Sequence, residues 1–375
     1  MIKRILQPQI EKRLFQGKIV IVYGPRQAGK TTLVKEILKK YKNEGRYINC
    51  DILSNVHSLE TTEPEKLKFF LGEKKLIVLD EAQRVKNIGL TLKVLIDTYP
   101  KLQIIATGSS SFDLANEISE PLTGRAVEFM LYPLSFQEIE PDHKQLNFEG
   151  LLGKWLRFGS YPEVFGLNSE KSKETLDLIT SSYLYKDVLA YEKIQKSSLI
   201  SRLLQLLALQ VGGEVSYREL GRTLGVASRT IDKYIDLLEK SFVIFRLGSF
   251  SRNLRKEIAK SFKIYFYDLG IRNSLIQAFN PLDIRQDVGS LWENFCISER
   301  LKYNAYNKRR VNSYFWRTYT QKEIDFIEES EGKLTGFEFK WSKNQAFKKP
   351  EEFLKTYANS SIKIINKTNF HSFLL

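Results

Sequence analysis

The stretch from Lys18 to Thr32 limits what this chain can fold into more than any other. Its apolar run Ile19-Val20-Ile21-Val22 predicts a short strand buried in a parallel sheet. The run leads into Gly24-Pro25-Arg26-Gln27-Ala28-Gly29-Lys30-Thr31, a G-x-x-x-x-G-K-[ST] pattern, and helix-compatible sequence follows from Thr32 to Lys40. Strand, glycine loop and helix in that order make a phosphate-binding junction. Glycines let backbone N–H groups turn inward around phosphate oxygens, and the helix N-terminus adds partial positive charge. In that junction Lys30 is placed for the β- and γ-phosphates and the Thr31 hydroxyl for Mg²⁺, with Thr32 opening the helix. An ordinary βα turn would not need the lysine and hydroxyl at these two positions.

Two acids answer the loop about fifty residues on. Lys75-Leu76-Ile77-Val78-Leu79-Asp80-Glu81 reads as a buried strand ending in carboxylates. Asp80 is expected to hold Mg²⁺, directly or through water, and Glu81 to polarise the attacking water. Arg46-Tyr47-Ile48-Asn49-Cys50-Asp51 reads as a further strand ending near the ligand crevice. Leu102 to Ser111 reads as a buried strand running into hydroxyl residues, lying between the acidic and the phosphate-binding strands. There Thr107 or Ser109 is either a sensor of the γ-phosphate or part of a serine-rich turn. Arg125 precedes the strand-like Val127 to Leu134, either as a finger toward a phosphate of its own or a neighbouring subunit, or as a solvated surface arginine.

These segments, with Leu79-Asp80-Glu81-Ala82-Gln83 and Leu122-Thr123-Gly124-Arg125, resemble the bacterial and archaeal AAA-type ATPases whose C-terminal half is a domain of unknown function. Tyr132-Pro133-Leu134-Ser135-Phe136-Gln137-Glu138 and Gly159-Ser160-Tyr161-Pro162-Glu163-Val164 resemble further signatures of that family, with Ser160 where a second glycine is usual. The resemblance implies ATP and Mg²⁺ as cofactors. It also makes a homo-oligomer plausible, with Arg125 acting across the interface.

Residues 145–195 carry apolar residues at helical spacing, among them Leu151, Leu152, Trp155, Leu156 and Leu176, and fit a small helical lid. In residues 197–270, Ser216 and Glu219 are spaced as a capping box, Gly225 makes a turn, and Ser228-Arg229-Thr230-Ile231-Asp232-Lys233 opens the next helix. Two strand-like runs joined by a basic loop with Arg252, Arg255 and Lys256 complete a winged-helix pattern. Such a module serves DNA, through the recognition helix and the wing, or docks a protein. Farther on, Asp325 lies on one strand, and Glu338 and Lys340 share a face of another. This set resembles the restriction-endonuclease-like fold. There Asp325 and Glu338, with Glu293 from a helix, would bind Mg²⁺ or Mn²⁺, and Lys340 would orient or activate water.

The chain of 375 residues has 58 basic and 44 acidic side chains and a net charge of +14, which favours a polyanionic partner, DNA above membrane. Cys50 and Cys296 are too far apart for a metal-ligand pattern and suit a reducing compartment. The first fifteen residues lack the apolar core of a signal peptide, and no apolar run reaches the roughly 18 residues of a membrane span. A cytoplasmic location follows as an expectation. The fold expected is α/β, with a P-loop NTPase parallel sheet over residues 1–140 and a helical lid over 141–196. A winged helix-turn-helix over 197–270 and a small restriction-endonuclease-like α/β domain over 271–375 complete it. Three functions fit this reading: an ATP-driven, DNA-associated enzyme with a nuclease-like output, a nucleotide-dependent switch with an inactive nuclease fold, and a protein-interaction ATPase.

Overall fold

The computed structural model describes residues 2–109, 121–143, 148–184, 197–251, 262–318, 320–343 and 350–375. Ser110 and Ser111 of the hydroxyl turn, and Arg252, Arg255 and Lys256 of the basic loop, lie outside these residues. Two compact units form the chain, residues 1–133 with 240–242, and residues 134–239 with 243–375.

The first unit is built on a parallel sheet of β1 (Ile19–Tyr23), β2 (Gly45–Asn49), β3 (Leu76–Asp80), β4 (Gln103–Gly108) and β5 (Ala126–Met130). Their order is β2-β3-β4-β1-β5, and every neighbouring pair is parallel. β1, β3 and β4 are buried along their whole length, as continuous apolar runs in a parallel sheet require. β4 lies between β3 and β1, so Asp80, Thr107 and the loop after Tyr23 share one edge of the sheet. At that edge Gly24 has no room for a side chain, because a Cβ would stand 2.1 Å from the Leu131 carbonyl oxygen. The helix Lys30–Lys39 follows Gly29, whose φ of 96° suits glycine, and buries Leu33, Val34 and Ile37.

The second unit explains two of the sequence signatures as packing devices. Ser160 N–H donates to Asp268 Oδ2 (2.6 Å), and Leu134 N–H to the Ser160 carbonyl (2.9 Å). Phe136 N–H donates to Glu299 Oε2 (2.7 Å), whose other oxygen accepts from Lys302 Nζ (2.6 Å). Asp268, Glu299 and Lys302 are all buried, so each charge is offset by these bonds rather than by water. The helices Phe148–Phe158 and Ser169–Leu178, expected in a lid, bond instead to the helix Leu269–Leu275. Asn273 Nδ2 donates to the Leu156 carbonyl (2.9 Å), and Ser274 Oγ to Asp177 Oδ1 (2.7 Å). Helical periodicity identifies those helices but says nothing of which neighbour covers them.

Ser216 caps the helix Tyr217–Leu224 by accepting from Glu219 N–H (3.3 Å), Gly225 turns at φ 71°, and the helix Ser228–Lys240 follows. An antiparallel sheet ordered β6-β8-β7 combines β6 (Glu214–Val215), β7 (Ile244–Gly248) and β8 (Phe262–Phe266). A second sheet, β12-β11-β10-β9, holds β9 (Asn312–Arg317), β10 (Glu323–Ser330), β11 (Lys333–Phe339) and β12 (Ser360–Ile365). Its pairs are antiparallel except β11 with β12. The helix Val288–Tyr306 accompanies it, with Trp292 and Phe295 fully buried. A bridge of Ser249 to Phe315 joins the end of β7 to β9.

Candidate nucleotide site and acidic centre

In the first unit the strand order brings together side chains from three strands and from the helix that follows β1. Asp80, buried at the end of β3, is the hub. Its Oδ2 accepts from Thr31 Oγ1 (2.7 Å) and from the Tyr47 hydroxyl (2.6 Å), and its Oδ1 from Thr107 Oγ1 (2.5 Å). Glu81 follows in the left-handed region at φ 56°, an uncommon conformation for a residue with a side chain. Its backbone N–H donates to Thr107 Oγ1 (3.0 Å), and its Oε2 accepts from Gln83 Nε2 (2.5 Å). The same Gln83 nitrogen reaches Ser109 Oγ (3.0 Å), linking the acid to one sensor candidate. Lys30 Nζ is buried and donates to the carbonyls of Gly24 (2.8 Å) and Pro25 (2.9 Å). Arg4 braces the loop from the N-terminal segment, donating to the Ala28 carbonyl (2.6 Å) and the Tyr132 carbonyl (2.5 Å).

Burial first, then the bond to Asp80, raises the Tyr47 phenol well above its ordinary range, so it remains a donor. Cys50 is pushed up to about 12 by burial and then by Asp80, which leaves an unreactive thiol. The donor set fits Mg²⁺ with a triphosphate. Thr31 and Asp80 offer hard oxygens 2.7 Å apart, and Mg²⁺ takes one or two protein oxygens while keeping waters. Gln27 adds a buried Oε1 in the loop with no hydrogen-bond partner among the described residues.

Arg125 stands elsewhere. Its carbonyl accepts from Ile19 N–H (2.9 Å), which fixes it beside the first residue of β1, roughly 13 Å of strand from the loop. Its side chain pairs with Asp97 (2.7 Å). A finger toward the phosphates of its own chain is therefore corrected by the parallel register of β1 and β5, which puts Arg125 on the opposite edge.

In the second unit Asp325, Glu338, Lys340 and Glu293 also converge, with company the spacing did not reveal. Asp325 Oδ2 accepts from Phe339 N–H (2.9 Å), and Glu338 Oε1 from Lys340 Nζ (2.6 Å). Glu293 Oε1 accepts from the Tyr265 hydroxyl (2.6 Å) and from Lys263 Nζ (3.2 Å), and Lys263 also pairs with Glu323. Burial, then the charges of Glu293 and Glu338, holds Asp325 well above the ordinary carboxylate range. Among the described residues no group of three or more acidic, histidine or cysteine side chains is arranged to hold a metal ion. Glu293 as a third metal ligand is corrected accordingly: its carboxylate is turned to Lys263 and Tyr265. Sequence reasoning passed over Arg4, Tyr47, Gln83, Lys263 and Tyr265, because each acts on a partner far away in the chain. Tyr47 lies mid-strand in β2, and of the five only Gln83, in the segment Leu79-Asp80-Glu81-Ala82-Gln83, stood in a signature.

Residues 16–140 match a family model described as an AAA domain, and residues 149–282 and 288–371 match two models each described as a domain of unknown function. The chain is 28% identical over 341 residues to an uncharacterized protein of Mycobacterium tuberculosis, covering 90% of this chain and 74% of that one. It is 26% identical over 344 residues to an uncharacterized protein of Methanocaldococcus jannaschii, covering 86% and 75%. Among solved structures the Pif1 helicase of Candida albicans overlaps 48% of each chain at 16% identity and a TM-score of 0.28, too low to carry an argument. Residues 16–140 of this chain are thus similar to an AAA domain, and the two segments that follow match domains of unknown function.

Proposed function

We propose that the chain binds and hydrolyses ATP at the shared edge of β1, β3 and β4, and that its second unit binds DNA. One observation carries the first part: Thr31, Asp80 and Thr107, from three separate segments, are bonded into a single cluster beside the phosphate loop. Lys30 would exchange the Gly24 and Pro25 carbonyls for phosphate oxygens. Thr31 and Asp80 would hold Mg²⁺, which supplies positive charge against the β- and γ-oxygens. Tyr47 and Thr107 keep Asp80 aimed at the loop. Glu81 orients the attacking water and draws its proton, while Gln83 fixes the carboxylate and ties it to Ser109. Lys30→Ala is expected to lower ATP turnover about 100-fold or more with the fold intact by circular dichroism. Unchanged turnover would overturn this assignment.

The DNA part rests on the helix Ser228–Lys240, whose exposed side includes Ser228, Arg229 and Lys233, with Thr230 half-buried. Asp232, Asp236 and Glu239 on the same helix are engaged by Arg246, which offsets the acids beside that basic stripe. Binding to duplex DNA should weaken steeply between 50 and 200 mM salt, and Arg229→Glu should weaken it further. Salt-insensitive binding, or none, would instead favour a protein-docking role. For the C-terminal module the reading of a switch that does not cut nucleic acid is favoured, because Glu293, Glu323 and Glu338 are already paired with lysines.

A further inference from the structure

The acidic centre of the second unit contains its own cation. Lys263 comes from β8, opposite Glu214 of β6 and Leu247 of β7, and its side chain is only 3% exposed. Its ammonium lies against Glu293 Oε1 (3.2 Å) and Glu323, with the Phe315 ring centroid 5.5 Å away. Glu338 is occupied on one oxygen by Lys340 (2.6 Å), while its other oxygen is buried with no hydrogen-bond partner among the described residues. Asp325 feels both lysines and both neighbouring glutamates. In a metal centre the carboxylates would point at one shared ion. Here Glu293 and Glu323 point at the Lys263 ammonium, and among the described residues no three of the gathered acids are arranged to hold an ion. The residues therefore do not fit the metal that a nuclease-like centre implies.

We propose that Lys263 is the resident cation of this centre, taking by its tethered charge the place of a divalent ion, so that the wild-type chain holds no metal between Asp325 and Glu338. Two physical reasons support it. A tethered ammonium is present at high effective concentration, and a free ion must displace it before it can bind. Displacement would also strand a buried, unpaired ammonium, which opposes it. The centre then acts as an electrostatic joint between β8 and the sheet β12-β11-β10-β9. This inference does not rest on ATP hydrolysis.

The test uses full-length protein without nucleotide, titrated with Mn²⁺ and followed by electron paramagnetic resonance of the free ion and by thermal melting. Wild type is expected to show no loss of the Mn²⁺ signal attributable to this centre, measured as no difference from Asp325→Asn, and no rise in Tm. Lys263→Met is expected to bind Mn²⁺ at least tenfold more tightly than wild type and to gain Tm with it, and Lys263→Met/Asp325→Asn to lose both gains. One Mn²⁺ bound per wild-type chain and lost in Asp325→Asn would overturn the proposal. So would a folded Lys263→Met that binds Mn²⁺ no better than wild type. If Lys263→Met does not fold, the comparison of wild type with Asp325→Asn still decides, since Asp325→Asn removes a charge without changing size.

Discussion

Tyr47 shows how one hydroxyl can tie two parts of a site together. Its phenol donates to the Asp80 oxygen that Thr31 also uses, while the Lys35 ammonium lies 4.5 Å from its ring centroid. Tyr47→Phe keeps the ring and removes only the donor. A hydrogen bond to a charged group is worth about 1.5–3 kcal/mol, and the remaining Thr31 and Thr107 donors reduce the loss. Denaturation of the nucleotide-free protein is expected to show a loss of about 1–2 kcal/mol as a lower midpoint at unchanged m. An unchanged midpoint would mean that the phenol spends its time in water. Gln83 and Arg4 act in the same manner, each holding a group far from it in sequence.

At the scale of the element, glycines separate backbone strain from crowding. Gly159 and Gly225 have nearly the same φ, 72° and 71°. A Cβ at Gly225 meets nothing within 4 Å, whereas one at Gly159 would stand 2.0 Å from Asp268 Oδ1. Gly225→Ala is therefore expected to lose about 1–2 kcal/mol, the cost of a left-handed alanine. Gly159→Ala should lose at least about 2 kcal/mol more, because Asp268 must move off Ser160 N–H and leave a buried carboxylate short of donors. Equal losses in chemical denaturation would show that the Asp268 contact yields freely. The glycine signature was visible in the chain, but its purpose was not, since Asp268 lies over a hundred residues away.

At the scale of the molecule, acid sensitivity should reside in the second unit. Burial by itself would raise Asp287, but bonds from Arg285 and Arg272 outweigh it and bring it down to about 2. Glu328 is likewise raised by burial, and Arg300, Asn304 and Arg309 together outweigh that and lower it. For a carboxylate lower in the folded than in the unfolded state, near 3.9 for Asp, the stabilisation is complete above that value. It is lost as pH falls toward the folded value. Tm should therefore drop between pH 4 and 2, and Asp287→Asn should lower Tm at pH 7 while flattening that drop. A variant with the wild-type slope would place the acid-sensitive groups elsewhere. Two units need not melt together, so the transition belongs to the unit that contains Asp287.

Local pattern determined a good deal. The apolar run, the glycine loop and Thr31 specified a βα junction, and Leu76 to Asp80 specified a buried strand ending in an acid, because period and turn chemistry are written in adjacent residues. Even the place of β4 between β3 and β1 was legible from the phosphate-loop pattern. What adjacency cannot encode is which distant side chain arrives at a shared point. Strand order and register decided that Tyr47 and Thr107 meet Asp80, that Arg125 sits on the far edge beside Asp97, and that Lys263 stands among the acids expected to hold a metal. Those outcomes depend on charges tens of residues apart brought within 4 Å, where burial and pairing, not sequence spacing, set the energy.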